Sequence, residues 1–144
     1  MTRQPASATD HFALTQLLTE TAWRIDHGRA DTVWELFTED GEMRLGGAAL
    51  RGRDAIRTWG AERPAARTRH VHTNTLFTHT CDDTAEGVCV LTVYMDDGTG
   101  GTTPFAVTEE TGRYVRTGDG WRFAARVTDV LFGGGPNAQV RQGS

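Results

Sequence analysis

The sequence predicts an α+β fold, with helices packed on one face of a bent, mostly antiparallel β-sheet. Two observations carry this. Apolar residues recur with the helical period up to about residue 62 and with period two from about residue 68. The four period-two runs are separated by "DDTAEG", "DDGTGG" and "TGDG", whose Asp and Gly residues have the chemistry of hairpin turns. Helices followed by hairpin-linked strands is the element order of an α+β domain.

Residues 1–8 are polar and read as a tail. Residues 9–27 read as a helix, because Leu14, Leu17, Leu18, Thr21 and Ile25 fall on one stripe. Ser7 or Thr9 can cap its start, and Gly28 is a stop signal. Asp31 caps a short second helix, "TVWELF", closed by the turn "TEDG". "EMRL" and "AAL" form two short strands around Gly46 and Gly47. "GRDAIRTWGAE" is a third helix, ended before Pro64. Strands follow over 68–80, 86–96, 103–117 and 120–132, and the Gly-rich 133–144 reads as a second tail. The domain therefore spans 9–132, with no internal repeat and no linker.

A chain of 144 residues suits one domain that buries a core without metals or disulfides. Fifteen basic and nineteen acidic residues give a net charge of −4, and without a basic cluster nucleic acid is excluded as the main partner. Every basic residue is Arg, which reflects genomic composition and not function. No run approaches the ~18 apolar residues of a membrane span, and "MTRQPASATD" lacks the apolar region of a signal peptide. The expected location is the cytoplasm, with no membrane association. Cys81 and Cys89 flank a turn; a cross-strand disulfide is one option, and two reduced thiols are the expectation without a secretory signal.

The stretch "TRHVHTNTLF" places polar residues where a core strand would place Val or Ile. Alternation puts His70, His72, Asn74 and Leu76 on one face and Val71, Thr73, Thr75 and Phe77 on the other. A His/Asn face turned to water would need no explanation. The same face turned to a pocket would supply acids, bases or ligands near neutral pH. Asp26 lies beside the apolar stripe of the first helix, in a row of small side chains with Thr15, Thr19 and Ala22, and Trp23 sits one turn back. Such a row can leave space between helix and sheet for a carboxylate; Asp26 can equally be a solvated residue near a helix end. His70 and His72 have a spacing that can chelate a metal, but a third ligand is missing and no H-E-x-x-H or C-x-x-C occurs, so no metal is expected. There is no G-x-S-x-G elbow, and the glycines at 98–101 and 133–135 lack the strand-loop-helix context of a phosphate loop.

Taken in order, four segments resemble the SnoaL-like branch of the nuclear transport factor 2-like fold. That group includes polyketide cyclases, scytalone dehydratase, ketosteroid isomerase and the small subunits of ring-hydroxylating dioxygenases. The segments are "WRIDHGRADTVWELFTEDGEMRL", "LRGRDAIRTW", "TRHVHTNTLF" and "GRYVRTGDGWRFAARV", within roughly residues 10 to 132. The resemblance implies a cone-shaped, strongly curved sheet with three helices enclosing an apolar pocket. It implies catalytic roles for Asp26, at the end of the first helix, and His70, on the histidine-bearing strand. Asn74 matches a polar lining position, while His72 shares its face without a counterpart in the resemblance. Tyr114 and Arg126 match positions that the family often keeps in the closing hairpin, in a structural or a catalytic role.

The chemistry expected of such a site is cofactor-free proton transfer: dehydration, isomerisation, or cyclisation, epoxide opening included. Asp26 would orient His70, or itself act as the base, while His72, Asn74 or Tyr114 holds a substrate oxygen. The expected walls are aromatic Trp23, Phe37, Trp59, Phe105 and Trp121 and aliphatic Leu76, Leu91 and Val93, around a small polyketide- or terpenoid-like molecule. The alternatives are a ligand-binding protein without catalysis and a small structural subunit of an oxygenase. A homodimer is the expected assembly.

Overall fold

A computed structural model describes residues 4–135. The elements are β1 (Gln4–Pro5), α1 (Ala8–Asp26), a 3-10 helix (Ala30–Leu36), β2 (Phe37–Leu45), β3 (Ala48–Arg51), α2 (Arg53–Ala61), β4 (Thr68–Cys81), β5 (Thr84–Met95), β6 (Ala106–Thr117) and β7 (Gly120–Gly133). All strands join one curved sheet in the order β1-β4-β5-β6-β7-β2-β3. Every pairing is antiparallel except β2 with β7, which is parallel. Among the described residues no helix is long and apolar enough to cross a membrane.

The α1 stripe folds inward as its spacing requires: Leu14, Leu17, Leu18 and Thr21 are buried, and Ile25 is partly buried against the core. Ser7 caps the helix by accepting from the Asp10 backbone N–H at 3.1 Å. Gly28 follows its end at φ 73, where Cβ strain would oppose other residues. Arg24 then fixes that end, donating to the Thr32 carbonyl and the Glu35 carboxylate at 2.7 Å each. At the narrow end of the sheet Phe37 packs on Phe123 at 5.0 Å between centroids, and Phe77 meets Tyr114 edge-on at 5.7 Å. Each such side chain contributes roughly 1.5–3 kcal/mol by leaving water.

Four sequence expectations change. Residues 4–8 are not a tail: Gln4 and Pro5 pair with His79 and Thr78, and Ser7 and Ala8 open α1. Of the second tail, 136–144 lie outside the described residues. The "TEDG" stretch is not a free turn but part of β2, with a break in register between Phe37 and Glu42. It is held by Arg53, which donates twice to the Phe37 carbonyl (2.7 and 3.0 Å). The second helix is 3-10 and begins at Ala30.

The fourth change matters most for the site. In β4, Thr73 pairs with Val90 and Leu76 with Val88, so Asn74 and Thr75 together stand opposite one residue of β5. This is a β-bulge, and Asn74 enters it at φ 54, in the left-handed region that Asn tolerates better than most residues. One extra residue inverts the parity of everything after it. His70 and His72 point inward before the bulge; Phe77 (4 % exposed) points inward after it, and Leu76 (69 %) points out.

Gly60 sets the contact between α2 and the 3-10 helix. A Cβ there would lie 2.1 Å from the Ala30 carbonyl oxygen and 2.9 Å from the Asp31 nitrogen. A helical Gly→Ala change ordinarily stabilises by up to about 1 kcal/mol. Here both neighbours are backbone, so Gly60→Ala is expected to destabilise by about 1–3 kcal/mol or more. A urea midpoint at or above that of the wild type would contradict this packing.

Candidate active site

Asp26 ends α1, and β4 passes beside it. One edge of β4 pairs with β5, while β1 covers the other only at Thr78 and His79. At His70 that edge is therefore free to bond something else. Asp26 takes the place: Oδ2 accepts the His70 backbone N–H at 2.8 Å, and Oδ1 accepts the Thr68 hydroxyl at 2.9 Å and lies 2.6 Å from His70 Nδ1. A carboxylate can only accept, so Nδ1 carries the imidazole proton. Nε2 is then the ring nitrogen with a free lone pair. The side chains are 5 % (Asp26) and 11 % (His70) exposed, so the imidazole is the more accessible of the two. Burial pushes the His70 pKa below the ordinary imidazole value; the Asp26 hydrogen bond and charge oppose this, and Arg63 and Arg126 add to it. The lowered pKa favours the neutral ring, the form that a base requires.

Deeper in the sheet lies a second buried polar cluster, built around Glu110. Its Oε1 lies 3.0 Å from His72 Nε2, and its Oε2 accepts from Arg126 (Nη2 at 2.6 Å) and from the Thr128 hydroxyl (3.1 Å). Burial alone would raise the Glu110 pKa; the Arg126 charge and the hydrogen bonds from His72 and Arg126 outweigh it and hold it down to about 2. His72 Nε2, Cys89 and Glu110 place three possible metal-ligand atoms within 4.8 Å of one another. The Arg126 guanidinium touches both Glu110 and, at 3.4 Å, His72 Nε2. The cation that this cluster needs is therefore already supplied by the chain. Neither cysteine is in a disulfide: Cys81 is exposed and Cys89 buried.

The model of the SnoaL-like domain matches residues 6–127, which includes all three helices and, Thr128 apart, the residues of both clusters. The chain belongs to the SnoaL-like family. Solved structures agree on the fold of this SnoaL-like chain. An NTF2-like protein with a cystatin-like fold from Novosphingobium aromaticivorans is 26 % identical, with 87 % of this chain and 84 % of that one covered at a TM-score of 0.77. Aln2 from a Streptomyces species is 20 % identical, covering 88 % and 94 % at 0.80. A scytalone dehydratase-like protein from Novosphingobium aromaticivorans is 16 % identical, covering 86 % and 85 % at 0.77. No curated protein matches the sequence.

The structure sorts the remaining expected site residues of this SnoaL-like chain. Val93 and Leu91 pair across the strands with His70 and His72 and flank them. Trp59 is partly buried against the core and carries Arg63 over its ring at 4.9 Å. Phe105 is 39 % exposed at the entry to β6, at the rim. His72 is committed to Glu110 at Nε2, so that nitrogen is not free for a substrate oxygen.

Six expected lining residues are corrected. Trp23 is 62 % exposed and stacks on His27 at 4.1 Å, outside the sheet's concave face. Asn74 is exposed in the bulge, and Leu76 lines a concavity of about 470 Å³ on the outer face with Val88 and Val127. Phe37 is fully buried in solid core. Tyr114 is buried against Phe77, seven residues along β4 from His70, roughly 20 Å at strand rise, and cannot hold an oxygen at His70. Trp121 is also removed from the walls, because its Nε1 donates to Asp10 at 3.1 Å. Asp10 further binds Arg116 through both carboxylate oxygens and pins the start of α1 to β6 and β7. Sequence reading missed Asp10 and Glu110. Glu110 shares the parity of Gly112 and Tyr114 in β6, and that parity was the available signal.

Proposed function

We propose that this SnoaL-like chain is a cofactor-independent acid–base enzyme, a dehydratase, isomerase or cyclase (epoxide opening included), acting on a small hydrophobic polyketide- or terpenoid-like molecule. The observation that supports it is the Asp26–His70 pair. Three donors fix the carboxylate, which orders the imidazole with its proton on Nδ1 and its lone pair on Nε2. Nε2 removes a proton from a carbon made acidic by a neighbouring carbonyl. The imidazolium so formed is stabilised by the adjacent Asp26 charge, as in other carboxylate-oriented imidazole bases. It then returns the proton, to a departing hydroxyl in a dehydration or to another carbon in an isomerisation. Leu91 and Val93 beside the histidines supply apolar wall. Shared fold with a scytalone dehydratase-like protein supports the dehydratase member of this set.

The test is incubation with a panel of bicyclic β-hydroxyketones in D₂O, read by mass spectrometry and NMR. Deuterium at the carbon beside the carbonyl, together with loss of water, is the expected result. A folded protein that produces neither across the panel would contradict the reading.

A further inference from the structure

A cavity of about 430 Å³ opens between the end of α1, the start of the 3-10 helix, the end of α2 and the segment leading into β4. Its wall includes Ile25, which precedes Asp26, Thr68, whose hydroxyl donates to the Asp26 carboxylate, and small residues such as Gly28, Ala30 and Gly60. The charged groups in the wall are Arg63 and Asp31. Asp31 is exposed and Arg63 is half-buried. The Arg63 guanidinium stacks on the Trp59 ring, and no carboxylate or carbonyl of the described residues hydrogen-bonds it. Every other buried or half-buried charge described above has such a partner. Burial lowers the Arg63 pKa against the opposing pull of Asp26, which marks the group as desolvated. A desolvated cation without an anion is costly unless a ligand completes it.

We propose that this cavity is a carboxylate-binding subsite and that Arg63 is its specificity-determining residue. The guanidinium fork, already ordered on Trp59, meets a planar carboxylate through two parallel hydrogen bonds. One guanidinium, with Asp31 at the mouth and Asp26 behind Thr68, favours a monoanion over a phosphate. A volume of about 430 Å³ admits a bicyclic body. The proposal rests on the acid–base reading only in taking the bound acid as the substrate of that site; the binding itself does not require turnover.

The probe pair is 2-naphthoate and the isosteric, uncharged 2-naphthamide, followed by amide chemical shifts of the uniformly labelled protein. Naphthoate is expected to shift Gly60, Ala61 and Thr68. Arg63→Gln weakens it about tenfold or more, the loss expected for hydrogen bonds to a charged group, and Arg63→Lys weakens it less. Naphthamide binds wild type and Arg63→Gln alike. Naphthoate that leaves these residues unmoved, or that binds wild type and Arg63→Gln equally, would overturn the proposal. His70→Ala separates the two readings, since it should lower turnover about 100-fold or more while naphthoate binding keeps its dependence on Arg63. Arg63-dependent binding without any turnover would remove the catalytic reading and keep the subsite.

Discussion

Replacing His70 by Ala is expected to lower turnover about 100-fold or more, the usual share of a positioned general base. Each factor of ten corresponds to about 1.4 kcal/mol of transition-state stabilisation. Asp26→Asn should cause a comparable fall while keeping the side chain's size. Three donors converge on the Asp26 carboxylate, and an amide would present its own N–H₂ to some of them. The imidazole would then lose the partner that holds its proton on Nδ1. The pH profile distinguishes loss of the base from loss of its partner. Wild-type kcat/KM should fall on the acid side with a midpoint below the ordinary imidazole pKa of 6.5, because burial disfavours the charged ring. Asp26 raises the His70 pKa, so Asp26→Asn should move that midpoint lower still. Turnover within threefold, roughly, of wild type in both variants would end the acid–base account.

Arg126→Met should destabilise the fold by about 3–5 kcal/mol, because it leaves Glu110 buried with its main counter-charge removed. At roughly 2–4 °C per kcal/mol for a chain of this size, the melting temperature falls by about 10 °C. Glu110→Gln combined with Arg126→Met should recover part of this loss, since it leaves no isolated charge. The sign of the acid dependence follows from the same cluster. Glu110 has a lowered folded pKa, from 4.5 to about 2, so its stabilisation is complete above 4.5 and is lost as pH falls through that window toward 2. In Arg126→Met burial acts with less opposition, the carboxyl pKa rises, and the deficit relative to wild type narrows on acidification. A single variant within about 1 kcal/mol of wild type would show that the cluster is not coupled in this way.

Much of this architecture is legible in the residues themselves. The α1 stripe is a clean 3.6-residue pattern ended by Gly28, and the Asp/Gly turns place β4 to β7 in order. The proximity of Asp26 and His70 is implied by the family resemblance, whereas spacing alone leaves Asp26 equally a solvated residue near a helix end. What escapes sequence reading are the interruptions of parity. Strand alternation places Asn74 and Leu76 on the face of His70, but a single extra residue at Asn74–Thr75 sends both outside and brings Phe77 in. Arg126 lies beyond a similar break in β7, where Arg113 pairs with Ala125 and Tyr114 with Phe123. A bulge is set by the fit of neighbouring strands and leaves a weak local signal, here one Asn among strand formers. Only the partners of Glu110 (Arg126, His72 and Thr128, from three different strand positions) show why it is buried. Trp23 misleads in the opposite direction, since its ring spends its apolar surface on His27 at the helix end and not on a pocket.

The most direct test of the central claim needs no substrate. ¹⁵N-resolved NMR of the imidazoles across a pH titration reports both the proton's position and its affinity at His70. The predicted result is a neutral ring at pH 7 with its proton on Nδ1 and a titration midpoint below 6.5. A His70 that carries its proton on Nε2, or that titrates at or above 6.5, would contradict it.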